Sequence, residues 1–333
     1  MSRTRLPLSV AATLMAGPAL ADVPGVAVDI APVHSLVSRV MEGVGTPDLI
    51  VAPGASPHEY SLRPSEASAL QEADLVFWIG PDLTPWLEDA IGTVAAGAQA
   101  TALLEVEGVT RLPIREGALF EAHAHDEDET DADHDGHEEH EEDDHGQDAH
   151  DEDGHDTHAG DEHGAHDAHA WLSPDNAATW LEVIAAQLSQ ADPDNAGAYT
   201  ANAATARSEL ATLSDEINDL LDPVRDGRFI VFHDAYQYFE TAFELPAAGA
   251  ISVSDATDPS PARIAQIRTR VAEQGVTCLL SEPQFDPGIV AAVSAGAEIS
   301  TAVLDPLGSD LTSGPELYPH LLRNLTQSLA DCL

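Results

Sequence analysis

The sequence contains no lysine, and its 13 basic residues, all arginines, are set against 59 aspartates and glutamates. The formal net charge is −46 over 333 residues. Nucleic-acid binding and docking on anionic membranes are disfavoured, because both need clustered Lys and Arg. Cations are the natural partners of such a chain, and 16 histidines beside the many carboxylates favour metal cations.

Long hydrophobic runs are also missing, so the sequence predicts no membrane-spanning helix in the mature protein. Residues 1–21 carry Arg3 and Arg5, then an apolar stretch over 6–16, then Ala-Leu-Ala at 19–21. This order is typical of a secretory signal that is cleaved, here after Ala21. We therefore predict that the protein is exported.

Cysteine is scarce, with Cys278 and Cys332 as the two residues of this type. Their spacing is unlike the C-x-x-C pattern, so a cysteine-based metal site is not indicated. In an oxidising compartment such a pair favours a disulfide, and the alternative is two unpaired buried thiols.

Short apolar runs alternate with amphipathic stretches in two series, which is typical of β-α-β units in a parallel sheet. We predict an α/β protein with two parallel-sheet lobes, at residues 22–191 and 228–333. A linking segment at 194–224 contains a predicted helix at 195–221, about 40 Å long at about 1.5 Å per residue. This helix is long enough to cross from one lobe to the other. A strand is also predicted at 102–106.

Residues 121–166 form an insert within the first lobe that holds 11 histidines and 21 acidic residues but no large apolar side chain. Such a segment has nothing to bury, so we predict that it is a disordered loop. Its imidazoles and carboxylates favour weak binding of several zinc ions, and the alternative is a solvated tether without a metal role. Its histidines are His123, His125, His134, His137, His140, His145, His150, His155, His158, His163 and His166.

Three histidines outside the insert have informative positions: His58 follows a predicted strand, His169 precedes a predicted helix, and His233 ends a predicted strand. Asp305 directly follows another predicted strand. Ligands of open α/β sheets bind beyond the carboxyl ends of strands, and three imidazoles plus a carboxylate or water complete a tetrahedral zinc site. The two remaining histidines, His34 and His320, lack this context and are predicted to be ordinary surface residues.

Five motifs stand in order along the chain: GASPHEYSLRPS at 54–65, HAWLSP at 169–174, VFHDAYQYF at 231–239, SEPQF at 281–285 and LDPLG at 304–308. Together they resemble the ZnuA-type periplasmic zinc-binding proteins of ABC uptake systems, within the cluster A-I metal-binding group. The resemblance implies two α/β lobes joined by a rigid helix, with the metal in the cleft between them.

By this resemblance, His58, His169 and His233 match the three histidine ligands. Manganese-type relatives tend to have Glu at the position of His233, so histidine there favours Zn²⁺. Pro57 stands where some zinc-type members have a ligating Glu, so the fourth ligand is Asp305 or water, with Asp305 ranked ahead. The two cysteines match a disulfide of zinc-type members.

The function that follows is a periplasmic protein that captures Zn²⁺ and delivers it to an inner-membrane ABC permease with its ATPase. It is expected to be a monomer without catalytic activity, with the insert as a low-affinity zinc collector. The alternatives are a manganese- or iron-binding protein of the same fold, or a periplasmic zinc buffer or chaperone. A zinc hydrolase is disfavoured because the sequence has no H-E-x-x-H motif to supply a general base.

Overall fold

The computed structural model describes residues 23–115, 166–252 and 259–333. In this part of the chain, two four-stranded sheets form, and every strand pair in them is parallel. The first sheet has the order β2-β1-β3-β4, with β1 (Val26–Val28), β2 (Asp48–Leu49), β3 (Leu75–Trp78) and β4 (Gln99–Ala102). The second has the order β6-β5-β7-β8, with β5 (Phe229–His233), β6 (Ala250–Ser252), β7 (Cys278–Ser281) and β8 (Ser300–Val303).

The helices alternate with these strands, as the α/β pattern predicts. Those of the first lobe are α1 (Ala31–Val40), α2 (Pro64–Glu72), α3 (Pro85–Val94) and α4 (Pro174–Ala191). The linking helix is α5 (Ala196–Leu221), and the second lobe has α6 (Gln237–Ala242), α7 (Pro261–Gln274), α8 (Pro287–Ser294) and α9 (Leu317–Cys332). The prediction of two parallel-sheet α/β lobes is confirmed. The predicted signal and residues 121–165 of the predicted insert lie outside the described residues.

The central strands of both sheets, such as β1, β3 and β5, are buried on both faces, which explains why they read as unbroken apolar runs. In β5, Phe229 and Val231 face a core shared with α5 and α9, whereas Ile230 and Phe232 face a second core under α7 and α8. The first sheet is arranged in the same way. Alternate residues of a strand point to opposite faces, so each strand contributes to two cores.

One apolar core runs continuously from β1 to α9 and so joins the two lobes. Helix α5 has 26 residues, about 39 Å, and it packs against α1 and α4 of the first lobe and against α9 of the second. The lobes are therefore connected by buried apolar surface as well as by the backbone of α5.

A disulfide joins Cys278 of β7 to Cys332 at the end of α9. The predicted pairing is thereby confirmed. It fastens the last helix of the chain to the second sheet.

Two sequence-based expectations were wrong in detail, and one strand was missed. The strand expected at 102–106 lies at Gln99–Ala102, because the chain turns into a short 3₁₀ helix at Leu103–Glu105 that buries Leu103 and Leu104. Strand β6 was not predicted. His34 is buried rather than at the surface, because α1 is covered on all sides and the Nε2 of His34 bonds the carbonyl oxygen of Pro47 at 3.1 Å.

Among the described residues, no helix has the length and apolar character that crossing a membrane requires.

Candidate metal centre

The three predicted histidines line a single cavity of about 150 Å³ between the lobes. His233 is the last residue of β5, and His58 lies in the loop that follows β2. His169 precedes a short 3₁₀ helix, Ala170–Leu172, which leads into α4. The carboxyl ends of parallel strands meet at one edge of a sheet, which brings residues distant in sequence into one cleft.

His169 and His233 face each other through the nitrogens that a metal would use. Their Nε2 atoms are 3.4 Å apart. Two nitrogens bound to one tetrahedral zinc at about 2.0–2.1 Å are about 3.3–3.4 Å from each other. The spacing of this pair therefore suits a shared zinc ion.

His58 completes the group less closely. Its ring centroid is 5.6 Å from that of His169, compared with 5.3 Å between His169 and His233. Within residues 23–115, 166–252 and 259–333, no three His, Cys, Asp or Glu side chains are already arranged so that they could hold a metal ion.

Each of the two facing imidazoles has a carboxylate within hydrogen-bond distance of its Nδ1. The Nδ1 of His169 lies 2.7 Å from Oδ1 of Asp167, and the Nδ1 of His233 lies 2.6 Å from Oε1 of Glu282. An ionised carboxylate can only accept a hydrogen bond, so each Nδ1 donates, which leaves the Nε2 lone pair of a neutral ring directed at the cavity. Two lone pairs at 3.4 Å repel each other unless a cation lies between them.

Both carboxylates are buried and held by further contacts. Asp167 also accepts the backbone N–H of His169 at 3.0 Å, and Glu282 accepts the side-chain amide of Gln284 at 3.0 Å. Sequence reasoning missed both residues. In the sequence, Asp167 lies two positions before His169, and Glu282 lies in the SEPQF motif. Neither position indicates which histidine the carboxylate contacts.

The loop that carries His58 is attached to the first lobe on either side of the histidine. The indole N–H of Trp86 donates to the carbonyl oxygen of Pro57 at 2.8 Å, and the hydroxyl of Tyr60 donates to Glu66 at 2.7 Å. Pro57, at the position where some zinc-type proteins have a ligating Glu, therefore serves here as a backbone anchor.

Asp305, ranked ahead of water as fourth ligand, is bonded to its own loop. Its Oδ1 accepts the N–H groups of Leu307 and Gly308, both at 3.0 Å, and its Oδ2 accepts the N–H and hydroxyl of Ser309, both at 2.6 Å. It is not among the described residues that line the histidine cavity. To ligate a metal there, its carboxylate would have to break these bonds.

His166 was predicted to be part of the disordered insert, but it has a defined position in the cleft, so the predicted end of the insert is wrong. Its backbone forms an isolated antiparallel bridge with Pro113, and its side chain lines the histidine cavity. The Nδ1 of His166 is 3.7 Å from a carboxylate oxygen of Asp82. The bridge with Pro113 holds His166 in the cleft.

The cavity has a strongly acidic lining that includes Asp82, Asp167 and Asp234. Burial raises the pKa of Asp234 although Arg115 opposes the change, and burial likewise raises the pKa of Glu240. Burial alone would lower the pKa of Arg115, but its pairs with Glu240 and Asp234 outweigh that effect and the pKa rises. Among the described residues of this lining, the three aspartates outnumber the single arginine, which favours cations.

Comparison with known proteins agrees with the fold. A family model described as zinc-uptake complex component A, periplasmic, matches residues 26–332. A high-affinity zinc uptake system protein ZnuA of Brucella abortus is 47% identical over 309 residues, which cover 93% of this chain and 91% of the relative. The protein of that name from Paracoccus denitrificans is 46% identical over 329 residues, which cover 98% and 97%.

Solved structures show the same fold at lower identity. A crystal structure of ZnuA has a TM-score of 0.68 at 24% identity and covers 92% of this chain and 98% of that one. The Mn²⁺ complex of FpvC from Pseudomonas aeruginosa has a TM-score of 0.71 at 18% identity and covers 92% and 97%. At these identities the structures support the architecture alone.

Proposed function

The chain belongs to the family of periplasmic zinc-uptake components, and on that premise we propose that it captures Zn²⁺ at His58, His169 and His233 for import. The family consists of solute-binding components of ABC transporters rather than enzymes. The zinc ion is therefore cargo that the protein binds and releases unchanged.

The observation that carries the ligand assignment is the pair of facing Nε2 atoms of His169 and His233, 3.4 Å apart. Each imidazole is oriented by a carboxylate on its Nδ1, as is usual for zinc-bound histidines. His58 lines the same cavity and supplies the third nitrogen. The fourth position is taken by water or, after a rearrangement of its loop, by Asp305.

Calorimetric zinc titration of a protein lacking residues 1–21 tests this assignment. Each of His58→Ala, His169→Ala and His233→Ala should abolish the tight binding event, because each removes one of three nitrogen ligands. His320→Ala is the matched control, since this exposed histidine of α9 lies outside the cavity. Tight binding that survives in all three variants would refute the assignment.

Zinc is favoured over manganese and iron by the three imidazoles. Nitrogen ligands suit Zn²⁺, whereas Mn²⁺ prefers oxygen, and the stability order of divalent metals also places Zn²⁺ above Mn²⁺ and Fe²⁺. Competition between equal concentrations of Zn²⁺ and Mn²⁺ distinguishes a zinc-binding protein from a manganese-binding one. Retention of Mn²⁺ in preference to Zn²⁺ would establish the alternative.

ZnuA-type components work with an ABC permease and its ATPase. We infer that this chain acts as an exported monomer, with cleavage after Ala21, and hands its zinc to such a permease. A strain without the gene should grow poorly in chelated medium and recover with added zinc. Normal growth of that strain would instead support a zinc buffer or chaperone that serves no transporter.

A further inference from the structure

Arg115 is the one arginine or lysine among the described residues that line the histidine cavity. Its Nε lies 3.0 Å from both carboxylate oxygens of Asp234, and its Nη2 also contacts Asp234. The same guanidinium binds Glu240, with Nη1 at 2.7 Å from Oε2 and Nη2 at 3.0 Å from Oε1. One cation is thus shared by two carboxylates, of which Glu240 is buried and Asp234 is partly buried.

Asp234 has a special position, because it directly follows His233 and lines the same cavity as the three histidines. The other carboxylates near the imidazoles are engaged differently, and Asp82 lies 3.7 Å from the Nδ1 of His166. Asp167 and Glu282 accept from histidine Nδ1 atoms, on the sides of the rings that face away from the facing Nε2 pair. Asp234 instead meets the guanidinium of Arg115, which pairs with both of its oxygens.

Carboxylate oxygens are hard ligands that suit Mn²⁺, Mg²⁺ and Ca²⁺ better than imidazole does. A carboxylate next to His233 that could turn into the cavity would add such an oxygen to the nitrogen ligands. The guanidinium fork opposes this turn because it matches both carboxylate oxygens at once, and a lysine could not do the same.

We propose that Arg115 is a positioning residue that determines metal specificity: it holds Asp234 away from the three imidazoles and so keeps the ligand set rich in nitrogen. This inference rests on the proposed function, since it assumes that His58, His169 and His233 bind the metal. Arg115 acts through Asp234 and does not touch the metal.

The test is a competition between equal concentrations of Zn²⁺ and Mn²⁺, with bound metal measured by mass spectrometry after desalting. In Arg115→Gln the preference for zinc over manganese should fall about tenfold, because the released Asp234 supplies an oxygen ligand. Arg111→Gln is the matched control, since this exposed arginine lies four positions earlier and outside the cavity lining, and it should leave the preference unchanged.

The double variant Arg115→Gln/Asp234→Asn separates specificity from simple structural damage. It lacks the released carboxylate, so the preference for zinc should return to that of the unmodified protein. An unchanged metal ratio in folded Arg115→Gln would overturn the proposal. So would a double variant with the same altered ratio as Arg115→Gln, because the change would then not pass through Asp234.

If Arg115→Gln does not fold, Arg115→Lys decides the matter, because lysine keeps the positive charge but cannot match both carboxylate oxygens of Asp234 at once. We expect the preference of this variant for zinc over manganese to fall in the same direction, since Asp234 is then held less firmly. An unchanged preference in folded Arg115→Lys would contradict the role of Arg115. Failure of the unmodified protein to bind zinc would instead refute the proposed function, so the two failures are distinguishable.

Discussion

Glu282 lies 49 positions after His233, yet its Oε1 is 2.6 Å from the Nδ1 of that histidine. The contact exists because β5 and β7 are neighbours in the second sheet and Glu282 directly follows β7. A histidine oriented in this way presents Nε2 to the cavity in a fixed direction. In the proposed zinc site, Glu282 therefore orients His233 and does not itself bind the metal.

Removing either supporting carboxylate should weaken zinc binding. In Glu282→Gln and Asp167→Asn, zinc affinity should fall about 10–100-fold, because the neutral amide holds the imidazole less firmly and makes it less basic. Calorimetric titration measures the effect. Glu273→Gln, an exposed acid on α7, is the control that should bind zinc normally. Unchanged affinity in both site variants would show that the Nδ1 contacts have no role in binding.

The disulfide between Cys278 and Cys332 should contribute to stability and not to zinc binding. It closes a loop across 54 positions, and the chain-entropy model gives about 4 kcal/mol for such a loop. Urea unfolding of Cys278→Ala/Cys332→Ala should show a free energy of unfolding lower by about this amount. A reductant should destabilise the unmodified protein and leave the variant unaffected. Equal sensitivity of both proteins would contradict this role.

Deletion of residues 121–165 should separate the proposed collector from the tight site. The tight binding event should remain, because its ligands and His166 are retained, whereas the total zinc bound at high concentration should fall. A Gly-Ser linker of the same length in place of the segment controls for chain connectivity. If the stoichiometry does not change, the segment is a tether without a metal role.

Asp29 should make the stability of the first lobe depend on pH. Its carboxylate is fully buried after β1 and accepts the N–H groups of Ile30 and Ile79, both at 2.7 Å. Burial outweighs these bonds and raises its pKa to about 7. The folded state therefore binds the proton more tightly than the unfolded state, so the contribution of Asp29 to stability falls as the pH rises from about 4 to 7.

Urea unfolding at pH 5 and pH 8 checks this prediction. Relative to Asp29→Asn, the unmodified protein should lose roughly 2–3 kcal/mol of unfolding free energy between the two pH values. Asp74→Asn is the control, because that exposed carboxylate also accepts a backbone N–H, from Gly25. A difference between Asp29→Asn and the unmodified protein that does not vary with pH would contradict the raised pKa.

Much of the fold could be predicted from the sequence, because the alternation of apolar and amphipathic segments and the helical periodicity are both local patterns. Alternating apolar and amphipathic segments indicated the two sheets, and the uninterrupted helical pattern indicated α5 to within one residue at its start. His58 and His233 stood out because each follows a strand. The short strand β6 escaped prediction because three residues carry too little pattern to distinguish a strand from a loop.

The remaining features depend on contacts that sequence spacing does not encode. Glu282 faces His233 only because β5 and β7 are adjacent, and Arg115 meets Asp234 across 119 positions. The composition of the insert suggested that it ends at His166, but the backbone bridge with Pro113 places that residue in the cleft. Likewise, the motif around Asp305 does not show that its oxygens are bonded within their own turn.

In the proposed site, one zinc ion is held by imidazoles from both lobes. A crystal structure of the zinc-loaded protein, with anomalous data collected at the zinc edge, would show the ion and its ligands. We expect one strong peak in the cleft, with Nε2 of His169 and His233 and a ring nitrogen of His58 at about 2.0–2.1 Å. A strong peak elsewhere, or one that lacks any of these three histidines as a ligand, would contradict the proposed site.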